Sequence, residues 1–383
     1  MSKRAINRGK KYSSQINKVD KVLNYLPINC PNCNSDKFYK LDNKKKLVIN
    51  IKFMKNGVKK WNLQIPASSF QCSGCHEEFS LQRYGRDMMI WSINQYVAHQ
   101  TSIPRIGKML VENFNIYVHD SAIYRFKETI AKEYESTYEE IRQIIRSGHL
   151  IHADETKTAV KGNPNSYVWV FTSMDTVYYL YKPNREADFL RDMLKDFQGV
   201  LVSDFYPGYD SLPCQQQKCL VHLIRDLNDD LLNNQLNNEY KNIDFEFGKI
   251  LREIIETVDM YGLKKRYLHR HKKSIEMFYS QILDEDYETE LAIGWQKRFK
   301  KNKEKLFNFI NYDDIPWNNN NGENAIKPVA KYRSRAKGLL HEEGVKTFLV
   351  LLSIQQTCKF RGINFLDFLK SREKSIEEYS RKH

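Results

Sequence analysis

The spacing of apolar residues changes character along the chain. Between Phe38 and Gln64 it alternates in places, as in Leu47-Val48-Ile49-Asn50-Ile51, and Lys55-Asn56-Gly57 reads as a turn, so this segment predicts a β-hairpin. From Arg83 to about Glu135 the period becomes helical. Met88-Met89-Ile90-Trp91, Ile93 and Tyr96-Val97 make one apolar face. Thr101-Ser102 caps a second helix with Pro104 in its first turn, and Ile103, Ile106, Met109-Leu110 and Phe114 line its inner side. Asn115 to Val118 breaks that helix. Asp120 or Ser121 then caps a third, with Ile123, Phe126 and Ile130 facing inward. Three helices with a short break before the last fit a helix-turn-helix.

From His149 the texture shifts to short apolar runs. Leu150 to Thr156, Tyr167 to Thr172 and Val177 to Tyr181 read as three strands of a meander. Pro183-Asn184-Arg185 opens a helix predicted to reach about Phe197. Gly199 to Asp204 is a fourth strand and Lys218 to Val221 a fifth. Residues 226–315 read as several amphipathic helices. Val345 to Leu352 predicts a helix packed on the sheet, and the charged tail beyond Lys370 is expected to fray.

Composition narrows the class. With 41% hydrophobic residues over 383 positions, the chain has material for two or three domain cores and is too apolar to be mainly disordered. The longest uncharged apolar stretch, Phe348 to Ile354, is far shorter than the ~20 residues that span a bilayer, so no membrane partner is expected. Met1-Ser2-Lys3-Arg4 has no apolar run behind its charges. That pattern predicts no secretory signal and a cytoplasmic, nucleoid-associated protein with reduced thiols.

The net charge is +14, and residues 1–60 hold 16 Lys and Arg against 3 Asp and Glu. A basic arm (1–24) on a nearly neutral body is the footprint of a polyanion binder, most often nucleic acid. The third helix of the 83–148 region then becomes a recognition helix, presenting Ser121, Tyr124, Arg125 and Lys127 to a DNA groove.

Four of the seven cysteines form two knuckles, Cys30-x-x-Cys33 and Cys72-x-x-Cys75. Each points two thiolates at one spot, and together they make a tetrahedral four-sulfur site for a structural Zn²⁺. With the hairpin between them, residues 25–82 predict a zinc ribbon. The gap between knuckles exceeds the usual ~15–20 residues, which calls for a longer hairpin.

Acids fall near the ends of the first and fourth strands, at Asp154 and Asp204. The order of elements describes a ribonuclease H-like mixed sheet, in which those strands are neighbours. Two carboxylates so placed repel unless a cation lies between them, and Mg²⁺ suits oxygen ligands and phosphate substrates. A third carboxylate is read at Glu323, on the first turn of the helix after the loop Asn318-Asn319-Asn320-Asn321-Gly322. His222 and Arg225, in Cys219-x-x-His222-x-x-Arg225 at the end of the fifth strand, read as support beside the scissile phosphate. Lys327, Lys331, Arg333, Arg335 and Lys337 put positive charge near Glu323 where phosphates must approach.

The series His152-Ala153-Asp154-Glu155-Thr156, Ser203-Asp204-x-Tyr206-x-Gly208-Tyr209, Cys219-x-x-His222-x-x-Arg225 and Asn319-Asn320-x-x-Glu323-Asn324 resembles the DDE transposases of prokaryotic insertion sequences. It is similar to the group with a helical insertion ahead of the catalytic glutamate. The resemblance spans about 149–370 and implies a multidomain α/β chain, with a ribonuclease H-like domain at 149–370, an all-α insertion at 226–315 and a charged tail at 371–383. It implies catalysis by Asp154, Asp204 and Glu323 holding Mg²⁺ or Mn²⁺. The substrate would be double-stranded DNA, both terminal inverted repeats and target, cut at 3′ ends and joined by a homo-oligomer. Two alternatives have the same scaffold: a non-catalytic DNA-binding regulator, and a ribonuclease H-like nuclease.

Overall fold

The computed structural model describes residues 18–23, 30, 33, 35–80, 82–336 and 340–382. The first 17 residues of the basic arm, and Lys337, lie outside the described residues. Among those described, no helix is long and apolar enough to cross a membrane. The chain forms two units: one takes in the described part of Met1–Ser136 with Ile363–His383, the other is Thr137–Gly362.

In the first unit the expected hairpin divides between two sheets. Strands β1 (Lys21–Val22), β3 (Lys46–Met54) and β4 (Gly57–Ile65) form one, in the order β1-β4-β3. The turn closes at Gly57, whose φ of 135° only glycine adopts readily. Strands β2 (Phe38–Lys40), β5 (Ser69–Cys72) and β6 (Glu78–Ser80) form the second, in the order β2-β5-β6. It is this short sheet that joins the cysteine knuckles, and the long hairpin is inserted between β2 and β5. That insertion accounts for the wide gap between knuckles. Asp42 pins the crossing by accepting from the Ser68 N–H (2.9 Å) and the hydroxyls of Ser68 (2.6 Å) and Ser69.

Helices α1 (Arg86–Val97), α2 (Ile103–Phe114) and α3 (Asp120–Glu133) follow. Asn50 of β3 caps α1, its Oδ1 accepting from Met88 N at 3.0 Å. Gly85 makes room for this, because a Cβ there would meet Asn50 Cγ at 2.2 Å. The cap of α3 is neither Asp120 nor Ser121 but His119, whose Nδ1 accepts from the Ser121 N–H. The tail is not frayed. Helices over Phe365–Ser371 and Ile376–Lys382 bury Phe368, Leu369, Ile376 and Tyr379, and so complete the first unit. Glu133 there binds both Arg86 and Lys374 at 2.8 Å, and Tyr134 Oη donates to Leu369 O.

The second unit opens within α4 (Glu135–Ser147), a helix that the sequence pattern does not single out. A five-stranded sheet follows: β7 (Leu150–Lys157), β8 (Tyr167–Thr172), β9 (Val177–Lys182), β10 (Val200–Ser203) and β11 (Gln215–Lys218), in the order β11-β10-β7-β8-β9. The first three run antiparallel, while β10 is parallel to β7 and β11 to β10. Two expectations are corrected. The helix predicted from Pro183 is only α5 (Phe189–Met193), because Asn184 Oδ1 takes the Glu186 N–H and turns the chain instead. The fifth strand is Gln215–Lys218 rather than Lys218 to Val221. Buried Gln216 and Gln217 donate from Nε2 to the carbonyls of Tyr209 (2.6 Å) and Leu306 (2.8 Å), so a polar strand lies inside, although Gln216 Oε1 has no partner.

Leu220 begins α6 (Leu220–Asn233), the first of the insertion helices. The others are α7 (Asn238–Tyr261), α8 (Lys265–Leu268), α9 (Lys272–Leu283), α10 (Glu290–Lys301) and α11 (Lys303–Leu306). Phe247, Phe278, Trp295, Phe299 and Phe307 make their centre, and this core runs on into Leu150, Val200 and Val202 of the sheet. The chain then returns through α12 (Asn320–Ala336) and α13 (Glu342–Phe360). Helix α13 covers the edge strand β9: Ser353 Oγ accepts from Tyr179 N (3.0 Å) and Thr357 Oγ1 from Val177 N (3.1 Å). An open strand edge is thereby closed by hydroxyls.

Candidate active site and metal centres

Parallel pairing puts Val202 of β10 beside His152 of β7. Two residues beyond that rung, on the same face of the pleat, stand Asp154 and Asp204. Glu323 comes from the first turn of α12, and two contacts fix where that helix lies. Asn319, just before it, donates from Nδ2 to Ala153 O (2.9 Å), pairs through Oδ1 with His152 Nδ1 (3.0 Å), and gives its own carbonyl to Glu323 N (3.1 Å). The buried Tyr179 hydroxyl of β9 donates to Ala325 O at 2.6 Å. The helix that carries the third acid is thus clamped to the strand that carries the first.

The electrostatics report the crowding. Burial pushes the Asp154 carboxyl up to about 7, and the charges of Glu155, Asp204 and Glu323 push it the same way. Glu155 is raised too, chiefly by burial, although it is bound to Arg185 (2.6 Å) and to the Tyr209 hydroxyl (2.8 Å). Asp204 Oδ1 takes the Tyr206 N–H at 2.9 Å. Glu323 Oε1 is buried and makes no hydrogen bond; it stands 3.8 Å from His222 Nδ1. A donor set of crowded carboxylates with such an orphaned oxygen fits a hard divalent cation.

Asp154 supplies a stability test. Unfolded, it ionises near 3.8; folded, near 7. The native state therefore holds this proton more tightly, and its contribution is fully present at low pH and lost as pH rises from about 4 to about 7. The shift corresponds to up to about 4 kcal/mol. In chelator at pH 8, Asp154→Asn is expected to melt roughly 5–10 °C higher than the wild type, with little difference near pH 4. Calorimetry at both pH values checks this, and equal melting at pH 8 rejects it.

The remaining sequence-assigned residues divide. His222 adjoins Glu323, and its imidazole is raised by a hydrogen bond with Cys219 and by the charges of Glu323 and Asp204. One ligand atom each from Cys219, His222 and Glu323 lies within 4.8 Å of the others, a group that does not include Asp154 or Asp204. The Cys219-x-x-His222-x-x-Arg225 motif runs along the start of α6 rather than a strand end, and Arg225 is exposed a turn further on. On α3, Ser121, Tyr124 and Arg125 are exposed, but Lys127 is not. It is 3% exposed against the rings of Tyr96 and Tyr124, and burial pulls its ammonium down to about 8. Its spacing from Ile123 and Ile130 places it on the inner face. Lys327, Lys331, Arg333 and Arg335 are exposed on α12, and Arg333 also binds the end of β7 through Thr156 Oγ1 and Lys157 O.

Sequence reasoning gave Asn319, Tyr179, Arg185 and Tyr209 no role. Asn319, Glu155 and Tyr209 lay inside the quoted motifs, but Tyr179 and Arg185 had no signal in the one-dimensional pattern.

The four knuckle cysteines converge with all sulfurs within 4.8 Å; Cys30 and Cys75 are 3.6 Å apart and Cys33 and Cys72 3.4 Å. A zinc tetrahedron with bonds of about 2.3 Å has edges of roughly 3.8 Å, so the cluster could bind zinc with little adjustment. Backbone N–H groups of Cys75 and Gly74 hold the Cys72 thiol down to about 6, which favours the thiolate a metal needs.

No curated protein matches the chain. The model of the family described as "Transposase IS66 family" matches residues 82–347, from the helical region through the sheet, the insertion and all three acids, and the chain therefore belongs to the IS66 family of transposases.

Proposed function

We propose that this chain is a DDE transposase that binds the ends of its element and catalyses metal-dependent 3′-end cleavage and strand transfer on DNA. The observation that carries the reading is that Asp154 and Asp204 stand level on two paired parallel strands, with Glu323, on a helix tied to the first of them, near enough for its charge to help raise the Asp154 carboxyl. The strand order, with antiparallel β7-β8-β9 and parallel β10 and β11, supports a ribonuclease H-like domain. The four-cysteine ribbon sheet and the exposed face of α3 support a DNA-gripping region ahead of it, with α1 to α3 as a helix-turn-helix.

Asp154, Asp204 and Glu323 would hold the divalent metal. Magnesium or manganese bound there would polarise the scissile phosphate and steady the attacking and leaving oxygens. In the first step water attacks phosphorus in line, a new P–O bond forms, and the bond to the 3′ oxygen breaks, leaving a 3′-hydroxyl. In the second, that hydroxyl attacks a target phosphate and displaces a target 3′ oxygen. His222, beside Glu323, is placed to exchange a proton with the leaving oxygen. Pairing two ends calls for a homo-oligomer.

The experiment is incubation of the protein and Mg²⁺ with a duplex carrying the repeats that flank its gene, with nicked and joined strands resolved on a denaturing gel. Hydrolysis without joining would identify a nuclease instead. Asn319→Ala removes the clamp but no acid. It is expected to lower the cleavage rate about 10²-fold with DNA affinity unchanged, the scale of a ~1 Å misplacement; an unchanged rate rules out the clamp.

A further inference from the structure

The insertion carries a charged surface that the mechanism above leaves unused. Phe205 follows Asp204 directly, and the Arg298 guanidinium of α10 lies 4.6 Å from its ring and 4.7 Å from that of Trp295. Asp226 holds this guanidinium in place at 2.5 Å. Beside it, Lys301 (3.0 Å), Lys305 (3.2 Å) and the buried Lys218 (3.4 Å) all converge on one carboxylate, Asp210. Phe205, Asp210, Lys297, Arg298, Lys301 and Asn302 line an open cleft of about 310 Å³.

Four cations thus meet two carboxylates beside one cleft, and Lys297, exposed with Lys301 at its mouth, adds a fifth positive charge. The excess charge suits an anion. The Phe205 ring supplies an apolar shoulder of the kind a sugar contacts. A phosphodiester has both features. Because Phe205 and Asp204 are consecutive, a strand seated in the cleft passes within a few nucleotides of the acids.

We propose that this cleft binds a backbone phosphate of the DNA strand flanking the scissile phosphate, which makes the helical insertion a DNA-contacting wall of the active site. The inference rests on the DNA-cutting role proposed for Asp204.

The test uses the full chain. Lys297→Ala/Lys301→Ala is compared with Lys272→Ala/Lys273→Ala, which removes the same charge from exposed positions on α9. Anisotropy of a labelled duplex of the gene-flanking DNA, without added Mg²⁺ and over a range of salt, gives affinity and its salt slope. The cleft pair is expected to lose about tenfold in affinity and about 1–2 in slope, at roughly 0.9 per phosphate released. The α9 pair should lose less than twofold. Lys297→Arg/Lys301→Arg should bind as the wild type does, which separates charge from folding.

A scan with single neutral methylphosphonates should find one linkage near the cut whose neutralisation weakens the wild type but not the cleft pair. Equal losses in the two alanine pairs, or an unchanged slope in the cleft pair, overturn the proposal. Cleavage by Asp204→Asn would instead sink the parent reading, and the binding data would remain interpretable.

Discussion

Asp154→Ala, Asp204→Ala and Glu323→Ala are each expected to slow strand cleavage by at least about 10³-fold, while affinity for end DNA stays within about threefold. A thousandfold loss is about 4 kcal/mol of transition-state stabilisation, the scale expected when an ion that neutralises phosphoryl charge loses its ligand. Binding is expected to survive because the ribbon and α3 present their own surface. Glu155→Gln is the informative companion. Glu155 is as buried as Asp154 and next to it, yet Arg185 and Tyr209 occupy its oxygens. Its loss should lower the melting temperature more than the rate. Single-turnover cleavage of a labelled duplex in Mg²⁺ or Mn²⁺ reads all four variants. Retained cleavage by Asp204→Ala would remove the basis for the mechanism.

Cys72→Ser is expected to unfold the ribbon sheet and lower end-DNA affinity at least tenfold, with the Thr137–Gly362 unit still folded. The strands of that sheet are three, four and three residues long, and its core is little more than Phe38, Phe70 and Phe79 with Val48, Ile65 and Ala67. Strands so short do not hold together in water by pairing alone. Structural zinc contributes roughly 10–16 kcal/mol in comparable small sites. The wild type should carry one equivalent of zinc by metal analysis and the variant none. Hydrogen exchange should show amides of 38–40, 69–72 and 78–80 losing protection in the variant, while those of β7 to β10 keep it. A zinc-free variant with full protection would show that the sulfurs merely pack.

Much of this architecture was legible because local pattern and tertiary role coincide. Strands β7 to β10 are short apolar runs because most of their positions are buried, helices α2 and α3 have the helical period of one-sided burial, and the acids stand inside distinctive local strings; α1 reads as helical although it is buried nearly all round. The misreadings share a cause: one residue's chemistry was taken for its surroundings. Lys127 is charged, yet helical geometry places it between Ile123 and Ile130. Gln216 and Gln217 are polar, yet they are buried in the sheet, where Gln217 donates to the carbonyl of Leu306 far along the chain and Gln216 to that of nearby Tyr209. The ribbon reading assumed that one hairpin joins the knuckles, and no local signal marks the start of a second sheet at Lys46. Asn319 was quoted as part of a motif, but its clamp involves His152 and Ala153, more than 160 residues earlier.

The helices over Phe365–Ser371 and Ile376–Lys382 complete a unit that begins near the other end of the polypeptide. On the ribosome, that first unit must wait, with Tyr134 and Glu133 lacking their later partners, until the whole of Thr137–Gly362 has been made. A frameshift or early stop after Gly362 would spare the three acids yet deprive the amino-terminal unit of its closing helices. Such truncated products should be poor at seizing element ends and readily degraded, so that only copies carrying these closing helices compete for DNA.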